Sequence, residues 1–188
     1  VDESKLPETN SIRGRVTDSN AYDQTREVQD GERVEYDYLL LAVGRSTAVF
    51  GIDGLKEHAL TMKSLDDARE IHEAVRTAGE EATQSEPAQV LVGGAGLSGI
   101  QIAGEIAGYR DDTHAPIDIK LIEGLDEIFP GNSPEVQGAL KKRLLDRDVE
   151  IFTGEFISEV DEESVYLGEE SMPYDVLVWA GGITGHEP

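Results

Sequence analysis

The chain has 188 residues, enough for one good core and part of a second. It carries 39 acidic against 16 basic residues, a formal net charge of −23. That balance argues against a nucleic-acid partner, because phosphate backbones need a basic face. The absence of cysteine rules out disulfides, zinc–thiolate sites, iron–sulfur ligation and a cysteine nucleophile within these residues.

The longest apolar run, Tyr38 to Val43, is far short of the roughly twenty residues of a membrane span. The acids fall in small clusters at Glu80-Glu81, Asp111-Asp112, Asp161-Glu162-Glu163 and Glu169-Glu170. Apolar periodic segments lie between them, so the acidity belongs to a folded surface and not to a disordered tail. Such a surface is expected of a salt-adapted, halophilic organism, where screening relieves self-repulsion. The first residue is Val1 and the last eight follow directly on an apolar strand, so both ends read as cut. The chain reads as an internal piece of a longer protein.

Residues 11–43 read as β-structure. Ile12 to Thr17 alternates, and Asp30-Gly31 is a hairpin signal between Thr25–Gln29 and Arg33–Tyr36. Asp37 to Val43 reads as a buried strand ending at Gly44. Arg45 to Lys63 is a connection rich in glycine and charge, with a short turn at Leu55 to Ala59. A helix starts at Ser64, where Ser64 and Asp67 form a capping box and Leu65, Ala68, Ile71 and Val75 make one apolar face. Thr77 to Ala88 reads as a polar linker.

The next segment is the most informative. Val90-Leu91-Val92 is short and apolar, as expected of a buried parallel strand. It runs into Gly94-Ala95-Gly96-Leu97-Ser98-Gly99, a Gly-x-Gly-x-x-Gly turn. A helix follows, with Ile100, Ala103, Ile106 and Ala107 at helical spacing. In that pattern Gly94 allows the tight turn, Gly96 lets a pyrophosphate approach the backbone, and Gly99 lets the helix pack close to the strand. The helix mouth at Leu97 and Ser98 offers unpaired amides and a positive dipole end to the phosphates. Ile117 to Glu123 reads as the second strand, ending in an acid that accepts hydrogen bonds from the adenosine ribose. The spacing to Glu123 is long, and Asp111 to Ala115 reads as a loop absorbing the excess. A carboxylate repels a 2′-phosphate, and no basic residue stands among Gly124, Leu125 and Asp126, so NAD is favoured over NADP.

Ser133 caps a further helix from Pro134 to Arg147, with Val136, Leu140 and Leu144 as its apolar stripe. Glu150–Phe152, Phe156–Val160, Ser164–Leu167 and Val176–Trp179 read as short strands. The fold class is therefore α/β: a Rossmann-like three-layer nucleotide domain with a β-meander, after a strand-rich remnant. His58, His72, His114 and His186 lack metal-ligand spacing. Trp179 reads as core and Arg45 as an exposed loop residue. Lys141, Lys142 and Arg143 complement a helix C-terminus. No serine, histidine and acid set suggests nucleophilic catalysis.

Three stretches carry a family resemblance that covers nearly the whole chain. They are Tyr36 to Gly44, Phe50 to Ala59 continued by Met62 to Ala68, and Tyr174 to Gly182. The chain resembles the pyridine nucleotide-disulfide oxidoreductase superfamily, and within it the type II NADH dehydrogenases, single-subunit NADH:quinone oxidoreductases. The resemblance implies an NADH domain at 61–182 inserted in an FAD domain, whose C-terminal part occupies 1–60 and resumes at 183–188. It implies hydride transfer from NADH to FAD and onward reduction of a quinone, with the cofactors carrying the redox chemistry. Carried over by position, Gly94, Gly96, Leu97, Ser98, Gly99 and Glu123 hold NADH, Ala180 and Gly181 line the nicotinamide side, and Ala42 and Gly44 lie near FAD. Gln101 stands where the family often has a glutamate near nicotinamide and flavin; an amide hydrogen-bonds there but takes no proton.

The resemblance also implies a cytoplasmic protein held peripherally on the inner face of the membrane through a C-terminal region, and a homodimer. This chain lacks the FAD-pyrophosphate glycine motif, so alone it is expected to bind NADH weakly, hold no FAD and be inactive. The alternatives are a ferredoxin reductase, a dihydrolipoamide dehydrogenase-like enzyme, or a non-catalytic NAD-sensing module.

Overall fold

The computed structural model describes residues 12, 14–20, 22–29, 31, 33–42 and 44–185. They fall into two compact units, Val1–Val43 and Gly44–Pro188. Residues 44–60 belong to the second unit, where Leu55 is fully buried against Leu91, Ile122 and Leu177.

The first unit is an antiparallel sheet of β1 (Val16–Asn20), β2 (Thr25–Val28) and β3 (Arg33–Glu35) in that order. Asn20 turns the chain between β1 and β2, its side-chain oxygen accepting the Tyr22 and Asp23 amides at 2.9 and 3.1 Å. The β2–β3 hairpin appears where expected, with Gly31 at φ 78° donating to the Val28 carbonyl oxygen. Asp30 lies outside the described residues. The first strand begins at Val16 and not Ile12, because pairing starts where Val16 meets Val28.

The buried strand expected at Asp37 to Val43 is absent among the described residues. Asp37–Ala42 is neither helix nor strand, and Tyr38 and Leu40 are 96% and 90% exposed. An apolar run specifies burial, but a strand also needs a neighbouring backbone to match its donors and acceptors. Among the described residues none pairs with this segment. Val43 lies outside the described residues.

The second unit contains β4 (Arg45–Thr47), α1 (Leu55–His58), β5 (Leu60–Thr61), α2 (Leu65–Glu81), β6 (Ala88–Gly93), α3 (Leu97–Thr113) and β7 (Ile117–Glu123). It continues through α4 (Pro134–Leu145), β8 (Val149–Thr153), β9 (Glu159–Val160), β10 (Ser164–Leu167), β11 (Glu170–Pro173), β12 (Val176–Trp179) and β13 (Ile183–Gly185). A parallel sheet runs β5-β12-β6-β7-β8. Helices α3 and α4 are the crossovers β6-α3-β7 and β7-α4-β8.

The sheet is buried on both faces. Val90, Val92, Ile119, Leu121, Val176 and Val178 face α2, α3 and α4. The alternate residues Leu91, Ile122, Leu177 and Trp179 face the antiparallel meander β9-β10-β11, through Val160, Val165 and Leu167. Near-continuous apolar strands are what such two-sided burial selects. Asp161 organises the meander: its carboxylate accepts the Glu163 and Ser164 amides and the Tyr166 hydroxyl at 2.7 to 2.9 Å. The Tyr166 hydroxyl, then those amides, hold Asp161 below the usual carboxylate range, and Asp161 pushes Tyr166 up.

The capping box of α2 forms in full, Ser64 Oγ accepting the Asp67 amide while Asp67 accepts the Ser64 amide. Two expected loops are helical instead. Thr77–Glu81 completes α2, because Gly79 is buried against Ala115 and Ile117 and Arg76 pairs with Glu73 and Glu80. Asp111–Thr113 completes α3, which ends at His114 with φ 57°. The long interval to Glu123 is thus spent in helix. Leu65 is 67% exposed and leaves the apolar face of α2 to Ile71 and Val75. Phe156 is not in a strand; only Glu159–Val160 of that expected stretch pairs. Arg45 lies in β4 rather than in a loop.

Candidate functional site

Strand β6 ends at the middle of the parallel sheet, and the glycine turn carries the chain from it into α3. Gly94 has φ 95°, and a Cβ there would run into the Gly181 and Ala180 backbone of the turn after β12. A Cβ on Gly99 would overlap the Gly94 carbonyl oxygen, so only glycine lets α3 start this close to its strand. Gly96 is different. Its φ is an ordinary −69°, and a Cβ there would meet nothing within 4 Å. Packing among the described residues therefore gives no reason for glycine at 96, and the position opens onto free space.

The mouth of α3 faces that space without a side-chain cap. Ser64 caps α2 and Ser133 caps α4, but α3 has Gly96 as its N-cap residue and no capping side chain. The first-turn amides and the positive dipole end are left for an anion.

Glu123, the last residue of β7, turns towards the same point. Its Oε2 accepts the Ala95 amide at 2.7 Å and its Oε1 accepts the Leu125 amide at 3.0 Å. The carboxylate thus ties the glycine turn to the loop after β7. It is half-buried, lines the cleft, and keeps acceptor capacity beyond these two bonds.

That cleft has a volume of about 690 Å³ and runs along the C-terminal edge of the sheet. Its floor is Gly94, Gly96, Glu123, Ala180 and Gly181. Its walls include residues that sequence reasoning missed: Phe50 and Phe156, each 69% exposed, and Leu125, 50% exposed. Trp179 lines the cleft yet is 8% exposed, its indole N–H donating to the Ala48 carbonyl oxygen at 2.8 Å. It is core, as expected.

A crevice at the carboxyl ends of parallel strands, with a glycine turn at a helix mouth and an acid on the next strand, has the geometry that dinucleotides occupy in open α/β sheets. The family pattern of pyridine nucleotide-disulphide oxidoreductases matches residues 8–187. The chain belongs to this family. Among curated relatives it is 25% identical over 193 aligned residues to the external alternative NADH-ubiquinone oxidoreductase, mitochondrial, of Yarrowia lipolytica, covering 90% of this chain and 33% of that protein. It is 26% identical over 204 residues to the type II NADH:quinone oxidoreductase of Staphylococcus aureus, covering 96% and 49%. In structure it resembles NDH2 from Plasmodium falciparum in complex with NADH, with a TM-score of 0.77 at 24% identity, over 93% of this chain and 41% of that one. The last likeness shows the fold. The chain spans between a third and a half of the length of these curated relatives.

The fold of this family member brings together Gly94, Gly96, Gly99, Glu123, Ala180 and Gly181 around the turn and cleft. Leu97 and Ser98 are exposed in the first turn of α3, and Ser98 borders the groove between α2 and α3. Gln101 also borders that groove, with Met62 and His72, and does not line the cleft. Ala42 is exposed in the first unit; Gly44, with φ 79°, opens the second. His72 and His114 are exposed, His72 meeting Tyr109 edge-on at 5.5 Å. His186 lies outside the described residues. No cluster of three metal-ligating side chains occurs among the described residues.

Proposed function

We propose that the cleft binds NADH, and that the chain is the NADH-binding part of an FAD-dependent NADH:quinone oxidoreductase. The observation that carries the reading is Gly96, a glycine that the fold does not need and a pyrophosphate does. The glycine turn and α3 mouth hold the diphosphate, Glu123 holds the adenosine ribose and discourages a 2′-phosphate, and Ala180 and Gly181 line the nicotinamide end. FAD, with Ala42 and Gly44 near it, supplies the redox centre between NADH and the quinone. Gln101 stands beside the flavin in this reading, where its amide orients a neighbour by hydrogen bonding. The division into an NADH domain at 61–182 within a split FAD domain belongs to the same proposal.

The names of the relatives support a quinone as acceptor. A quinone resides in the bilayer, so the reading includes peripheral attachment to the inner face of the cell membrane. No helix among the described residues is long and apolar enough to cross a membrane. The test is NADH oxidation by the full-length protein with a soluble quinone, ferredoxin and lipoamide as rival acceptors. Quinone reduction is expected to be fastest. Preference for ferredoxin or lipoamide would move the protein to another branch of the family, and NADH binding without oxidation would make it a sensor.

A further inference from the structure

Phe50 stands where the backbone alone would not put it. Val49 to Ile52 form a four-residue turn, closed by the Ile52 amide on the Val49 carbonyl oxygen at 3.0 Å. Its two central residues, Phe50 and Gly51, have φ of 50° and 72°. Paired left-handed residues mark a type I′ turn, whose centre is filled by Asn, Asp and Gly for steric reasons. A bulky aromatic at the first of these places carries backbone strain.

The strain does not serve the core, because Phe50 is 69% exposed. The ring lies against Gly182, where a Cβ would come within 2.8 Å of it, and walls the cleft beside Ala180 and Gly181. Sheet order decides which part of a dinucleotide this wall meets. Glu123 ends β7, the glycine turn follows β6 and Ala180 follows β12, and these three strands are neighbours. Glu123 and Ala180 are therefore about 10 Å apart across the sheet, two strand spacings. With the ribose at Glu123 and the diphosphate at the α3 mouth, the ligand continues past β6 to β12 and Phe50. The part that arrives there is the planar nicotinamide, and an aromatic face offers it a stacking partner.

We propose that Phe50 contacts the nicotinamide ring and seats it, in a turn whose backbone favours a smaller residue. The proposal rests on the dinucleotide reading above and goes beyond it by assigning the nicotinamide wall.

Calorimetry on the oxidised holoprotein tests it with two ligands. Tetrahydro-NAD keeps the shape of the reduced cofactor and cannot give up its hydride; ADP-ribose lacks the nicotinamide. Phe50→Asn is expected to raise the melting temperature, weaken tetrahydro-NAD about tenfold, and leave ADP-ribose within about twofold. Phe50→Tyr is expected to keep both affinities. Unchanged binding of both ligands by Phe50→Asn would overturn the proposal, and so would equal weakening of both, which marks a deformed cleft. If the unaltered protein bound neither ligand, the dinucleotide reading itself would fall, and the assignment of Phe50 with it.

Discussion

Glu123 and Ala95 are joined by a hydrogen bond of 2.7 Å, carboxylate to amide, that crosses from the tip of β7 to the glycine turn after β6. The bond fixes the turn and aims the carboxylate at the cleft with a single contact. The Leu125 amide on the other oxygen keeps the side chain from rotating away. A hydrogen bond to a charged group contributes roughly 1.5–3 kcal/mol.

Glu123→Ala should therefore act twice. The buried Ala95 amide loses its acceptor, and the ribose loses its partner. NADH affinity is expected to fall about 10- to 100-fold, each tenfold corresponding to about 1.4 kcal/mol. The preference for NADH over NADPH should narrow in the same titration. Tighter binding of NADPH than NADH by the unaltered protein would show the role assigned to Glu123 to be wrong.

The two glycines Gly96 and Gly99 should separate folding from binding. Gly96→Ala meets open space at an ordinary φ, so stability should stay within about 0.5 kcal/mol while NADH binding is lost. Gly99→Ala drives a methyl group into the Gly94 carbonyl and should cost about 1–3 kcal/mol of stability as well. Denaturant melts beside NADH titrations of both variants check this. Equal loss of stability in the two would remove the argument that Gly96 is there for a ligand.

The α2 cap should lend the fold a component that depends on acid. The Ser64 hydroxyl, then the Ser64 and Lys63 amides, hold Asp67 below the usual carboxylate range. A carboxylate with a lowered folded pKa stabilises the fold above its unfolded value, about 3.9, and that contribution fades as pH falls through the folded pKa. Melting temperatures of the parent and Asp67→Asn should differ at pH 7 and converge in acid. A constant gap across the range would mean that the cap works without charge.

Salt should stabilise the protein. With a net charge of −23, self-repulsion is weakly screened at about 0.01 M salt and strongly at about 1 M, as the Debye length shrinks from about 30 to about 3 Å. The melting temperature is expected to climb across that range in sodium chloride. A fall would count against a salt-adapted origin.

The α/β core of the second unit is readable in the sequence because its signals are local. Val90 to Val92, the glycine turn, the apolar positions of α3 and the strand Ile117–Glu123 each follow from neighbours a few residues away. The cleft walls were not readable, because Phe50 and Phe156 come to the site from loops far apart in sequence. Helix ends depended on tertiary packing. Asp111 and Asp112 look like loop residues, yet Arg110 anchors the end of α3 by donating to the Arg147 carbonyl oxygen. The apolar run at Tyr38 to Ala42 shows the converse limit. Hydrophobicity marks a segment for burial and says nothing of which strand will lie beside it.

Trp179 is the only tryptophan in the chain, and its ring forms part of the cleft wall. Within these residues its fluorescence therefore comes from one place, beside the cleft. Emission from this indole overlaps the absorption of a reduced nicotinamide, so a nicotinamide seated in the cleft would quench it, and these 188 residues carry an optical gauge of occupancy that needs no attached dye.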